Sequence, residues 1–205
     1  WPLWGALVLA FGIIAAGAYA PYSFLKGDSA FYITMQRALL DSGWLEMSAY
    51  HPMSWYDGAM PHYAHMDQAW SNLALGADGA TYYPKHPYLL AIFALPLYAI
   101  FGPLGSLLFN LMSMAALLTG GFMIARRFCG PGPAIVGTIP LILSGLVLEN
   151  VYTVSNDVFY SALLAMGCAS VLARRDLVAA IILSCAVVAK PTNILWLPAP
   201  FIAIA

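Results

Sequence analysis

The residues able to do chemistry gather around Lys26-Gly27-Asp28-Ser29-Ala30-Phe31-Tyr32, where a long apolar run stops and an acid follows at once. Group transfer to a hydroxyl needs a base for that hydroxyl, a cation for a departing anion and exclusion of water. Asp28 is the residue type for the first role. A carboxylate at the end of an apolar run sits where water, headgroup and protein meet, and ionisable groups held there are functional candidates. Lys85 lies at the opposite edge of the same polar stretch, and its compact ammonium suits the second role. Both residues have simpler readings: Asp28 as the N-cap of the helix that follows it, and Lys85 as a lysine snorkelling from a helix end.

The surrounding chain fixes the solvent. Its 205 residues are 62% hydrophobic and 8% charged, with a mean hydropathy of +0.80, whereas soluble domains carry roughly 25% charged residues. The composition is that of an integral membrane protein. Net charge is -1 and no basic block occurs, so nucleic acid is not an expected partner. Cys129, Cys168 and Cys185 lie in or beside apolar runs, which predicts small buried hydrophobes rather than a disulfide or metal framework. The chain starts without methionine and ends within an apolar run, so it reads as a single transmembrane module, 1–205, belonging to a longer protein.

Seven apolar runs, 3–20, 88–101, 104–125, 134–148, 158–173, 177–189 and 194–205, are the elements that must position the candidates. A spanning helix needs about 20 apolar residues, so several of these are short. The expected fold is all-α, a polytopic transmembrane bundle with a first extracytoplasmic loop over about 21–87. That loop holds Asp28, Asp41, Glu46, Asp57, Asp67 and Asp78 and all four histidines, His51, His62, His65 and His86. Within it, Phe31, Tyr32, Met35, Ala38 and Leu39 recur at helical spacing, with Thr34, Gln36, Arg37 and Asp41 on the other side. This predicts an amphipathic helix in the membrane interface, closed by Gly43. Trp44, Trp55 and Trp70 add rings suited to headgroup level.

If all three runs between His86 and Glu149 cross, Asp157 falls on the opposite side from Asp28, and Arg126-Arg127 and Arg174-Arg175 fall outside, against the positive-inside tendency. Either 88–101, with Pro96, or 134–148, with Pro140, is therefore expected not to cross.

Gly27-Asp28 with Tyr32, then Tyr82-Tyr83-Pro84-Lys85-His86-Pro87-Tyr88 opening a run that closes at Phe101-Gly102, then Arg126-Arg127-Phe128, then Ser155-Asn156-Asp157, resembles the GT-C superfamily of membrane glycosyltransferases. The order of the motifs is similar to that of lipid A aminoarabinose transferases and protein O-mannosyltransferases. The resemblance implies that Asp28 is catalytic, that Lys85 holds the phosphate of a polyprenyl-phosphate-linked sugar donor, and that His86, Tyr32 and Asp157 belong to the substrate site. It also implies a bacterial inner membrane location with the site facing outside, membrane lipids as partners, and an acceptor hydroxyl that the motifs do not specify. No acid follows Asp157 at a spacing of two, so the Asp-x-Asp metal pair is absent. A divalent metal is not favoured, and His62, His65 and Asp67 make a weak ligand set. Glu149-Asn150 reads as a helix-ending pair, and Lys190-Pro191-Thr192-Asn193 is a second phosphate-binding candidate, for which an ordinary proline-containing loop is the preferred reading. The competing readings are a non-catalytic lipid-binding subunit and a transporter segment, the latter disfavoured because the charges lie at segment ends and the two halves are unlike.

Overall fold

The computed structural model describes residues 28–47, 73–142, 144, 150, 153–198 and 202. The run 3–20, Lys26, Gly27, His51, Asp57, His62, His65, Asp67, Glu149, Trp55 and Trp70 lie outside the described residues. The chain is mostly helical. Among the described residues, Pro103–Phe128 alone is both long and apolar enough to cross a membrane, with shorter apolar helices around it.

The first helix, α1 (Ser29–Ser42), ends at Gly43, whose left-handed backbone (φ 71°) lets its N–H reach the Leu39 carbonyl. Phe31, Tyr32, Met35 and Ala38 are buried, as their spacing predicts. The polar side is different. Thr34 and Gln36 are fully buried too, and Gln36 accepts a hydrogen bond from the Ser106 hydroxyl, leaving Arg37, Leu40 and Asp41 as the exposed edge. An amphipathic stripe was expected, yet the first two turns of α1 are interior on nearly every side. The Gln36 carbonyl oxygen is thereby satisfied, its Nε2 has no partner among the described residues, and periodicity alone registers neither fact.

A hairpin interrupts the all-helical expectation. Strand β1 (Leu73–Leu75) pairs antiparallel with β2 (Tyr82–Pro84), Ala74 standing opposite Tyr83. Asp78 ties its turn by accepting from the Ala80 and Thr81 N–H groups, each at 3.0 Å, and from the Thr81 hydroxyl. Strands of three residues are too short to leave an alternation in the sequence. The hairpin delivers the chain directly into Lys85-His86-Pro87.

Helix α2 (Leu89–Phe101) stops at Gly102, whose φ of 61° and ψ of -146° suit glycine, and Pro103 then opens α3 (Pro103–Phe128). The two helices touch at their backbones: a Cβ on Gly105 would lie 2.0 Å from the Leu97 carbonyl oxygen. Helix α4 (Pro131–Ile142) folds back along α3, Leu141 packing against the cluster that includes Met114 and Leu117 and lying over Gly121. Helix α5 (Asn156–Leu172) runs parallel to α3, because Asn110 pairs with Ser155 at one level and Gly120 with Ala165 further along. Helix α6 (Asp176–Ala189) returns antiparallel to α5, with Gly167 against Leu183 and Asn156 bonded to the Ala189 carbonyl. A 3-10 turn (Pro191–Trp196) follows, in place of a plain apolar run from 194.

These directions give the bundle two unlike ends. Asp28, Asp157 and Lys190 lie at one, and Arg126-Arg127 and Arg174-Arg175, which close α3 and follow α5, lie at the other.

Candidate functional site

At the carboxylate end, the start of α1, the segment before α2, the start of α5 and the end of α6 converge. Ser29 Oγ accepts from the Val154 N–H at 2.8 Å, which pins the first turn of α1 to the lead-in of α5. Asn110 on α3 holds the same lead-in from below, donating to the Asn150 carbonyl at 2.9 Å and accepting from the Ser155 N–H at 3.2 Å. Ser155 then caps α5 by accepting from the Asp157 N–H.

These contacts enclose a cavity of about 480 Å³ whose lining includes Asp28, Tyr32, His86, Asn156, Asp157 and Lys190. Four of the five residues singled out in the sequence thus meet in one place. Lys85 is the exception: it is exposed and is not part of the lining. The cation on the wall is Lys190, in the segment whose sequence favours an ordinary loop over a second phosphate-binding candidate. Its Nζ donates to Asp157 Oδ1 at 3.2 Å and to Tyr160 Oη at 3.0 Å, and lies 4.4 Å from the centre of the Tyr160 ring. The hydrogen bond to Tyr160 does most to raise the Lys190 pKa, partial burial opposes it, and Asp157 adds to it, so the ammonium stays charged. A usable signal existed in the lengths of α5 and α6, 17 and 14 residues about a tight turn, which return Lys190 to the level of Asp157.

Asp28 occupies the N-cap position but does not cap with its side chain, and its backbone (φ -73°, ψ -7°) is already helical. Its carbonyl accepts from the Phe31 and Tyr32 N–H groups instead. The carboxylate, 59% exposed, faces His86, with Oδ2 3.8 Å from Nδ1, within electrostatic reach but longer than a hydrogen bond. The simplest alternative role for Asp28, a side-chain cap, is therefore not the geometry found.

His86 is held by rings. It stacks on Phe31 at 5.3 Å and meets the edge of Tyr32 at 5.7 Å. Tyr32 is 1% exposed. Burial first, then the charges of Asp28 and Asp157, push its hydroxyl above the ordinary tyrosine range, so it remains a proton-bearing donor at neutral pH. Two polar atoms of the lining residues, His86 Nε2 and Asn156 Oδ1, are buried without a hydrogen-bond partner among the described residues. With the imidazole proton on Nδ1, facing Asp28, both are acceptors that lack a donor. Buried acceptors of this kind normally find one, so the lining is suited to a ligand that brings hydroxyl groups.

Among the described residues no group of three His, Cys, Asp or Glu side chains is placed to hold a metal. Comparison of the chain with known protein families, with curated proteins and with solved structures finds no match.

Proposed function

We propose that this chain is a membrane glycosyltransferase of the GT-C kind, moving a sugar from a polyprenyl-phosphate-linked donor to an acceptor hydroxyl on the extracytoplasmic side. The observation that carries this reading is the Asp28 carboxylate, free of its helix and set beside His86 in a cavity shared with Tyr32, Asp157 and Lys190. Asp28 removes the proton from the acceptor hydroxyl, whose oxygen attacks the anomeric carbon. The bond from that carbon to the phosphate oxygen breaks, and the electron pair leaves with the phosphate. The sugar ring supplies donors to Asn156 Oδ1 and His86 Nε2, and the phosphate stays at the rim, toward Lys85. Lys190 holds Asp157 in place as a second acceptor for sugar hydroxyls. A polytopic bundle follows in the same reading, the apolar helices embedded in lipid and the arginine end cytoplasmic by the positive-inside tendency.

Asp28→Asn in the full-length protein tests the assignment. Asparagine keeps the size and polarity of the side chain but cannot take the proton. Since general-base catalysis contributes roughly 10²- to 10⁴-fold, transfer falls by that factor while donor binding persists. A folded variant that transfers sugar at the wild-type rate overturns the role of Asp28, and donor binding without transfer in the wild type points instead to a lipid-binding subunit.

A further inference from the structure

The end of the bundle remote from the cavity carries a second organised group. The α3 and α5 register has an offset of 45 residues, seen at Asn110 with Ser155 and kept at Gly120 with Ala165. Carried down the helices, it sets Arg126 and Arg127 level with Val171 and Leu172, which lead into Arg174 and Arg175. Four of the chain's eight cationic side chains thus meet at one end, all exposed, with Asp176 the one carboxylate in the same stretch. Among the described residues none of the four forms an ion pair. One of them has a second duty: Arg126 Nη1 donates to the Cys129 carbonyl at 3.1 Å and helps to close α3.

The turn after α5 gives the stronger indication. Arg174 has a φ of 57°, and among the described residues it is the one non-glycine residue with positive φ. Its N–H bonds the Val171 carbonyl and the Arg175 N–H bonds the Ser170 carbonyl, the pairing that ends a helix through a left-handed residue. Glycine is the residue favoured there, and a side chain in that conformation is strained. This chain keeps an arginine at the position despite that strain and places a second arginine beside it. Large apolar side chains flank the charges, Phe128 67% exposed after Arg127 and Leu177 75% exposed after Asp176. A cluster of guanidinium groups with exposed apolar side chains beside it is the complement of an anionic membrane surface, phosphates for the cations and acyl chains for the apolar groups.

We infer that Arg126, Arg127, Arg174 and Arg175 form a docking surface for anionic phospholipid headgroups at the end of the bundle opposite the cavity. The inference is independent of the proposed reaction, and Asp28→Asn leaves it unchanged.

The test is lipid selection by the full-length protein reconstituted in nanodiscs of mixed phosphatidylglycerol and phosphatidylcholine, with bound lipid counted by native mass spectrometry. The wild type retains phosphatidylglycerol preferentially, and each arginine changed to glutamine lowers that preference by roughly five-fold, the equivalent of about 1 kcal/mol per basic residue. Arg174→Gly separates binding from structure: it relieves the left-handed strain and raises the thermal midpoint, yet it weakens selection as Arg174→Gln does. Arg174→Lys keeps selection. No preference in the wild type overturns the inference, as does a preference that survives both Arg126→Gln/Arg127→Gln and Arg174→Gln/Arg175→Gln. Displacement of the lipid by millimolar inorganic phosphate also overturns it, because the surface would then be a free-anion site.

Discussion

The two lysines that the sequence offers for phosphate stand in different surroundings. Lys85 stands exposed one residue before His86, whereas Lys190 is tied to Asp157 and Tyr160 on the cavity wall. The Lys190–Asp157 pair is itself well exposed, 41% and 55%, so as an ion pair it contributes on the order of 0–1 kcal/mol to stability. Lys85→Ala and Lys190→Ala should therefore both fold, which thermal unfolding checks, but fail in different ways. Lys85→Ala weakens binding of the lipid-phosphate donor, and Lys190→Ala leaves donor binding largely intact while lowering transfer, because Asp157 loses its anchor. Unchanged donor affinity in Lys85→Ala removes it from the phosphate site. Asp28 was legible as an acid that ends an apolar run, whereas Tyr32, His86 and Asp157 entered only through the resemblance, although all four line one cavity. Lys190 was legible only as a disfavoured phosphate-binding candidate, since a lysine after an apolar run ending in Ala189 is what any helix end looks like. Its role depends on Tyr160, 30 residues away in sequence, and no local pattern reports that distance.

Helix locations were legible to within a few residues, since apolar runs at 88–101, 104–125, 158–173 and 177–189 correspond to α2, α3, α5 and α6. What the runs could not reveal is how closely the helices approach. Gly105 meets the backbone of α2, and a Cβ there would stand 2.0 Å from Leu97 O and 2.7 Å from Tyr98 N, with no side chain able to yield. Small residues at such crossings let apolar helices pack where no hydrophobic driving force separates helix from lipid. Gly105→Ala must then pry α2 from α3. Overpacking of this kind typically costs about 1–3 kcal/mol, and because α2 begins just after His86-Pro87, sugar transfer should fall together with the thermal midpoint. Gly137 on α4 is the control, with nothing within 4 Å of an added Cβ, so Gly137→Ala should be neutral or gain up to about 1 kcal/mol from helix propensity. Equal midpoints for the two variants in detergent would mean that α2 and α3 are not in backbone contact.

At the scale of the molecule, the question is one of parity. Asp28 and Asp157 line one cavity, and both arginine pairs lie at the other end. The chain between the acids must therefore travel the length of the bundle an even number of times. It goes outward through α3 from the Asn110 level, and by Asn150 it is back at that level, since Asn110 donates to the Asn150 carbonyl. Helix α2 takes no part in that count. Its 13 residues rise about 20 Å, less than the roughly 30 Å of a bilayer core, and it turns at Gly102 into a part of α3 that is still beside α1, where Ser106 meets Gln36. On the proposed membrane reading, the short run 88–101 is thus the one to expect on the cavity side, and 134–148 the one to cross. Single cysteines at positions 28, 103, 130 and 157, introduced after Cys129, Cys168 and Cys185 are replaced, test this in intact cells with a membrane-impermeant maleimide. Positions 28, 103 and 157 should label from outside, and position 130, beside the arginine pair, only after the membrane is opened. Labelling of 28 without 157 would place the two carboxylates on opposite faces and dissolve the shared site. Labelling of 28 and 157 without 103 would mean that α2 crosses, and that some other segment fails to.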